Sequence, residues 1–264
     1  QYIDLSQWKY IESKIKCPPG VILVTVHTVS GKTTTLYAAL GELAKPNVNV
    51  ITVEDPVEKN IEGINQCQVN TKAGMTFSAA LRSILRQDPD IVMIGEMRDT
   101  ETADIAIRAA ITGHLVLSTL HTNDAASTIV RLVDMGVAPY MVATSLIGVV
   151  AQRLVKVICP KCRRPRMSND EENQLMHIPA SVQIYDAAGC PECNGTGYKG
   201  RTAIHEIIHC SSGVSTLIAE SAGKEQLETA AKKNGTKLLR DNVSELVQTG
   251  KTSIDELIRV TYSV

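Results

Sequence analysis

Apolar residues in this chain fall either into short unbroken runs or into stripes at helical spacing, and the two alternate along its first half. Val21 to Thr25 is a run without polar interruption, which predicts a buried strand. Leu36, Ala39 and Leu40 then share one helical face. Val48 to Val53 predicts a second strand, and Phe77, Ala80, Leu81, Ile84 and Leu85 an amphipathic helix. Asp88-Pro89-Asp90 turns the chain into Ile91 to Ile94, a third buried strand. A helix over Thr100 to Thr112 is expected to stop at a left-handed Gly113, and His114 to Thr119 predicts a fourth strand before a helix that opens near Asp124. Strands alternating with helices predict an α/β fold built on a mainly parallel, twisted sheet.

The flanks read as helical. Leu5, Trp8, Ile11 and Ile15 share one face within Asp4 to Lys16, closed by Pro18-Pro19-Gly20. Ala138 to Ile158 reads as an apolar helix that turns basic at Arg153 and Lys156. From Ser211 to Val264, Leu227, Ala230, Ala231, Leu238, Leu239, Val243, Leu246 and Val247 repeat at helical spacing and predict a small bundle packed on the sheet domain, with no chemistry of its own. Ser253 followed by Glu256 is a capping-box start for the last helix.

Between the first strand and its helix lies Val26-His27-Thr28-Val29-Ser30-Gly31-Lys32-Thr33. Strand, short loop, Gly-Lys-Thr and helix is the layout of a phosphate-binding loop. Backbone N–H groups at the helix start meet phosphate, the lysine reaches its terminal oxygens, and the following hydroxyl ligates Mg²⁺. The same three residues also open ordinary helices, and the full pattern G-x-x-x-x-G-K-[ST] has Val26 where its first glycine belongs. Acids then follow buried strands: Glu54, Asp55 and Glu58 after the second, Glu96 after the third. Three carboxylates at a strand end are a solvated turn or a site for a cation and water. An acid directly after a buried strand, in a chain with a phosphate loop, is where hydrolysing NTPases hold Mg²⁺ or attacking water. His121 follows the fourth strand, so acids and imidazole gather at the carboxyl edge, where such sheets bind ligands.

Composition changes the picture only in part. Hydrophobic residues at 44% and charged residues at 21% suit a globular protein, and 264 residues give ample core for one large domain or two smaller ones. A net charge of −1 does not point to nucleic acid, and a single Trp8 and a single Phe77 leave little for base stacking. No apolar run reaches the ~20 residues of a membrane span. The chain opens on Gln1, which is expected of a fragment of a longer protein. Four of the seven cysteines form two C-x-x-C pairs, Cys159/Cys162 and Cys190/Cys193. Such knuckles suit tetrahedral Zn²⁺, and four thiolates close its coordination, which makes the expected role structural. Free or redox-active thiols are the alternative. Cys17, Cys67 and Cys210 have no such partner in sequence.

These motifs, in this order, resemble one family across essentially the whole chain: the ATPases of type II secretion and type IV pilus assembly, the GspE/PilB group. GKTTTLYAAL resembles its Walker A, ITVEDPVE its Asp box, LRSILRQDPDIVMIGEMRD its Walker B region, with Gly95 where many NTPases have Asp, and TGHLVLSTLHTNDA its His box. The tetracysteine block and GYKGR complete the series. The resemblance implies a RecA-like P-loop NTPase core over 1–158, a zinc-binding subdomain over 159–200 and a C-terminal helical subdomain over 201–264. It implies that Ser30, Gly31, Lys32, Thr33 and Thr34 hold ATP and Mg²⁺, with Lys32 on the β- and γ-phosphates and Thr33 on the metal. It further implies that Glu96 orients water, that Glu54 and Glu58 support Mg²⁺ and water, and that His121 senses the γ-phosphate. Arg82, Arg86 and Arg98 match arginines around the nucleotide and the subunit boundary, although a solvated helix face explains each of them equally well. His114, in the same box as His121, reads better as a histidine satisfied inside the fold. The family works as a homo-hexamer in the cytoplasm, peripheral to the inner membrane, on a platform protein there. Because the retraction motors usually lack the cysteine block, an assembly or secretion motor is the closer likeness. A DNA-uptake or conjugation motor on the same scaffold, and a ring or platform-binding subunit that has lost its phosphate site, are the rival readings.

One departure separates those readings. Where the family reads GPTGSGKTTT, this chain has Val26, His27 and Val29 in place of Gly, Pro and Gly. A β-branched residue forced to positive φ costs on the order of 1–3 kcal/mol, and that cost on the bound loop lowers affinity by roughly one to two decades. Weak or absent ATP binding is therefore expected, and a Val26→Gly/Val29→Gly variant should bind more tightly by that factor in a nucleotide titration. Equal, robust turnover by both chains would refute this reading of the loop.

Overall fold

The computed structural model describes residues 19–26 and 32–262, with residues 26 and 32–34 described by their backbone alone. The helical stripe over Asp4 to Lys16 and the loop residues His27 to Gly31 lie outside the described residues. The chain separates into two compact units, one of 19–151 with 207–236, the other of 152–206 with 237–262.

In the first unit β1 (Gly20–Val26) leads to α1 (Lys32–Leu43), β2 (Val50–Glu54), β3 (Asn65–Gln68), α2 (Phe77–Ile84), β4 (Ile91–Ile94), α3 (Thr100–Ile111), β5 (Leu115–Leu120), α4 (Ala125–Asp134) and α5 (Pro139–Ser145). The seven-stranded sheet has the order β3-β2-β4-β5-β1-β6-β9, where β6 (Leu146–Ile158) and β9 (Tyr198–His209) each run from one unit into the other. Strands β3, β2, β4, β5 and β1 pair in parallel, with Val53 opposite Ile94, Ile94 opposite Ser118 and Thr25 opposite Leu120. Every residue of β2, β4 and β5 is buried, as unbroken apolar runs covered on both faces must be. Leu36, Ala39 and Leu40 of α1 cover one face against Ile22, Val24, Met93 and Leu117. On β1 and β5 also packs α3, whose buried Ala103, Ala106 and Ala110 permit a close approach. Asp99 and Asp124 cap α3 and α4 by accepting the N–H of Thr102 and of Ser127.

Two further helices complete this unit, α7 (Ser212–Ala219) and α8 (Lys224–Lys233). In the second unit β7 (Arg163–Met167) and β8 (Gln183–Ala187) pair antiparallel around α6 (Asp170–Met176), whose Asn169–Glu172 capping box fixes its start. The Arg166 guanidinium grips Glu172 and holds that carboxyl below its usual range. Helices α9 (Leu239–Gln248) and α10 (Ile254–Tyr262) pack on each other. Ser253 directly precedes α10 with its hydroxyl 2.7 Å from that of Tyr198, and the Glu256 carboxylate takes the Lys156 N–H and the Arg259 guanidinium.

The expected helix over Ala138 to Ile158 is corrected: only Pro139–Ser145 is helical, and Leu146–Ile158 is a strand of 13 residues. In LIGVVAQRLVKVI six residues are Val or Ile, which suit a pleated surface. A run that is apolar on both faces carries no clean period, and the flank of β1 offers a ladder of unpaired backbone groups that a strand satisfies and a helix does not. Substitution at Gly148 discriminates the two. A Cβ there would sit 2.9 Å from the Ile208 carbonyl oxygen of β9. Gly148→Ala is therefore expected to destabilise by about 1–3 kcal/mol in denaturant unfolding, whereas a helix at this position would gain about 0.8–1.0 kcal/mol from the same change.

Candidate functional site at the carboxyl edge of the sheet

Parallel pairing brings the ends of β1, β2, β4 and β5 to one edge. Glu54 closes β2 and is 4% exposed, a burial that requires donors around its carboxylate. Thr52 Oγ1 at 2.5 Å and Gln66 Nε2 at 3.0 Å donate to Oε1, and the Tyr37 hydroxyl donates to Oε2. Burial, then the hydrogen bond and negative charge of Glu54, push the Tyr37 phenol up to about 12. The Glu58 N–H in turn donates to the Tyr37 oxygen at 3.3 Å. Tyr37 of α1 thus holds both ends of the turn Glu54-Asp55-Pro56-Val57-Glu58.

One strand over, β4 ends at Ile94 and Gly95 crosses the edge. The Gly95 N–H reaches the Val53 carbonyl at 2.8 Å, and its own carbonyl takes the Thr119 hydroxyl at 2.7 Å. A Cβ at Gly95 would stand 3.3 Å from the Val53 oxygen, so the absence of a side chain lets the crossing lie flat on β2. Glu96 follows, its side chain 14% exposed and paired with the Arg98 guanidinium through Oε1. That pairing raises the Arg98 pKa above its ordinary value. His121 Nε2 stands 3.3 Å from Glu96 Oε2, and Arg98 Nη1 stands 3.9 Å from Asp55 Oδ2. Tyr37, Glu54, Asp55, Glu58, Glu96 and Thr119 line a pocket of about 100 Å³. An acid held between a guanidinium and an imidazole is an acceptor able to orient a water molecule. Oxygen donors in such number are the set that a hard divalent cation takes.

Glu54, Glu58, Glu96, His121 and Arg98 therefore come together. Arg82 pairs instead with Glu101 of α3 at 2.6 Å, holding that carboxyl below its usual value, and Arg86 donates to the Arg82 carbonyl; neither lines the pocket. Ser30 and Gly31 lie outside the described residues, and Lys32, Thr33 and Thr34 form the first turn of α1. His114 is half-buried and lies 2.8 Å from the Ala109 carbonyl through its Nδ1. Tyr37, Thr52 and Gln66 escaped the sequence reading. For Tyr37 a signal existed: it lies four residues after Thr33, on the same face of the helix that leaves the loop.

The second unit gathers the four cysteines. Cys159, Cys162, Cys190 and Cys193 place their sulfurs within 4.8 Å of one another. The separations are 3.9 Å for Cys159–Cys190, 3.8 Å for Cys162–Cys193 and 3.8 Å for Cys190–Cys193. Zn–S bonds of ~2.3 Å in a tetrahedron require sulfurs about 3.8 Å apart, so this cluster fits zinc without rearrangement. Burial works against the Cys193 thiolate, but the N–H groups of Cys190 and Gly197, each 3.2 Å from its sulfur, outweigh it and lower the thiol to about 6.

A mainly parallel sheet with acids and an imidazole at its carboxyl edge, behind a Gly-Lys-Thr helix start, defines an α/β protein of the phosphate-loop kind. The chain belongs to the type II/IV secretion system protein family, whose profile matches residues 3–259. It is 49% identical over 94% of its length to the type II secretion system ATPase E of Vibrio cholerae serotype O1, covering 49% of that protein. It is 45% identical over 98% of its length to the type IV pilus assembly ATPase TfpB of Acinetobacter baylyi, covering 44%. Among solved structures, the pilus retraction motor PilT with bound ADP superposes with a TM-score of 0.73 at 27% identity, over 95% of this chain and 64% of that one. The chain spans about half the length of the curated relatives it matches.

Proposed function

We propose that this chain is the motor part of an ATPase that couples Mg-ATP hydrolysis to assembly of a type IV pilus or a type II secretion pseudopilus. The observation that carries the reading is Glu96, held between Arg98 and His121 beside the Glu54–Glu58 turn. In this reading Lys32 takes the β- and γ-phosphates, with Ser30, Gly31 and Thr34 completing the cradle. Thr33 would hold Mg²⁺, with Glu54 and Glu58 supporting the metal and the attacking water; when bound, Mg²⁺ would neutralise phosphate charge. Glu96 accepts a proton from the attacking water, Arg98 holds Glu96 by its guanidinium, and His121 reads the γ-phosphate. Arg82, exposed on α2, and Arg86, exposed in the turn after it, are left for the subunit boundary of a homo-hexamer. The intact protein works in the cytoplasm against an inner-membrane platform protein; among the described residues no helix is long and apolar enough to cross a membrane. The core over 1–158, the cysteine subdomain over 159–200 and the C-terminal subdomain over 201–264, which starts within β9 and continues in helices, divide these tasks, with zinc on Cys159, Cys162, Cys190 and Cys193 in a structural role.

Names of relatives support this reading: an ATPase of type II secretion and an ATPase of pilus assembly both align over nearly the whole chain. A second reading, a ring subunit with impaired nucleotide binding, is favoured by Val26 and Val29.

The test is phosphate release together with ATP titration. Glu96→Gln should lose on the order of 10²–10³ in turnover while ATP affinity stays within a few-fold. Turnover unaffected by Glu96→Gln would refute the proposed mechanism. No ATP binding by the chain as it stands, with binding restored by Val26→Gly/Val29→Gly, would establish the second reading. Metal analysis of the purified chain should find zinc, lost in Cys193→Ser with a lower unfolding midpoint. Full stability without metal would remove zinc from the account.

A further inference from the structure

The C-terminal helices carry a lysine whose position helix stability does not explain. Lys224 is the first residue of α8, where the positive end of the helix dipole disfavours a cation. Its ammonium stands 2.8 Å from Asp124 Oδ2 and 3.6 Å from Glu228 Oε1. The Asp124 side chain is 7% exposed and lies 100 residues away in sequence. It caps α4 through the Ser127 N–H at 2.7 Å and takes the Ser127 hydroxyl at 2.9 Å.

Asp124 closes a four-residue turn that begins at His121. Thr122 holds the middle of that turn: its N–H donates to Thr25 Oγ1 at 3.1 Å, and the Thr25 hydroxyl reaches the Thr122 carbonyl at 2.8 Å. The Thr122 and Thr128 hydroxyls are 2.6 Å apart, and Thr128 donates to the Asp124 carbonyl at 2.9 Å. Thr25 and Thr128 are almost wholly buried, whereas the His121 side chain is half exposed. The backbone on which His121 is carried is thus pinned at two points, to β1 through Thr25 and to α8 through Lys224.

We infer that Lys224 is a positioning residue: through Asp124 it seats the 121–124 turn and sets His121 against Glu96. Removing the cation beside a buried carboxylate is costly, since it leaves a charge without its partner. Helix α8 is thereby joined to the chemistry at the sheet edge, so a ligand or neighbour that shifts α8 also shifts His121. For its kinetic consequence this inference rests on the ATPase reading; for its structural consequence it does not.

The experiment compares the full chain with Lys224→Met, Lys224→Arg and Asp124→Asn, the last of which keeps a good N-cap. The imidazole NMR signal of His121 should shift in Lys224→Met and Asp124→Asn and return in Lys224→Arg, while that of His177, in the other unit, stays in place. In turnover, kcat should fall about tenfold in Lys224→Met with KM within twofold, because misplacing a group costs rate and leaves binding alone. The double variant should be no worse than either single one. An unmoved His121 signal in both Lys224→Met and Asp124→Asn overturns the inference, as does a double variant whose losses add. If no chain hydrolyses ATP and the His121 signal still moves as described, the positioning role stands and the ATPase reading falls. If Lys224→Met fails to fold, Asp124→Asn decides by the same signal.

Discussion

Parallel pairing among β2, β4, β5 and β1 is the constraint on which the rest depends. Its register places Val53 beside Ile94, Ile94 beside Ser118 and Thr25 beside Leu120, so four strands reach their ends within a residue or two of one another. A slip of one residue in any strand would turn its side chains to the opposite face. Glu54, Glu96 and His121 are thus neighbours because of hydrogen bonds made deep in the sheet, several residues before any of them. Gly95 shows how closely the edge is built, since the chain crosses β2 where a methyl group would press on the Val53 carbonyl.

Burying Glu54 at that edge has an energetic consequence. An ion transferred to the interior loses several kcal/mol even after relaxation. Hydrogen bonds to a charged group return roughly 1.5–3 kcal/mol each, and Glu54 accepts three, from Tyr37, Thr52 and Gln66. Removing any one donor would leave a buried acceptor short of a partner, at about 1–3 kcal/mol. Thr52 and Gln66 come from the sheet, while Tyr37 comes from α1, the helix that leaves the phosphate loop. The turn carrying Glu58 is therefore tied to that helix through Tyr37.

How much of this was legible in sequence follows from the range of each interaction. Strands β1, β2, β4 and β5 were readable because a fully buried parallel strand is an unbroken apolar run, and Glu54, Glu96 and His121 because each follows one directly. The cysteine pairs were readable because each knuckle is local, although the loop between them is long. Strand β6 was not, because its apolar run fits either period and only the flank of β1 decides. Thr25 with Thr122, 97 residues apart, and Lys224 with Asp124, 100 apart, leave no trace in any short window. Tyr37 lies between these cases: its helical spacing from Thr33 was visible, but its partner across the sheet was not.

The same separation of ranges bears on the two valines of the loop. Residues 21–25 of β1 are buried and paired in register with β5, and Thr25 keeps its bonds to Thr122, so β1 is built up to the residue before Val26. On the far side, Leu36, Ala39 and Leu40 of α1 are packed in the core, and Tyr37 is bonded to Glu54. The described residues on either side thus keep their pairing and core packing, whatever the loop between them costs. The fold and the proposed nucleotide binding therefore rest on different residues, so the second reading, a shape-preserving subunit poor in nucleotide, is physically coherent with the packing described for β1 and α1.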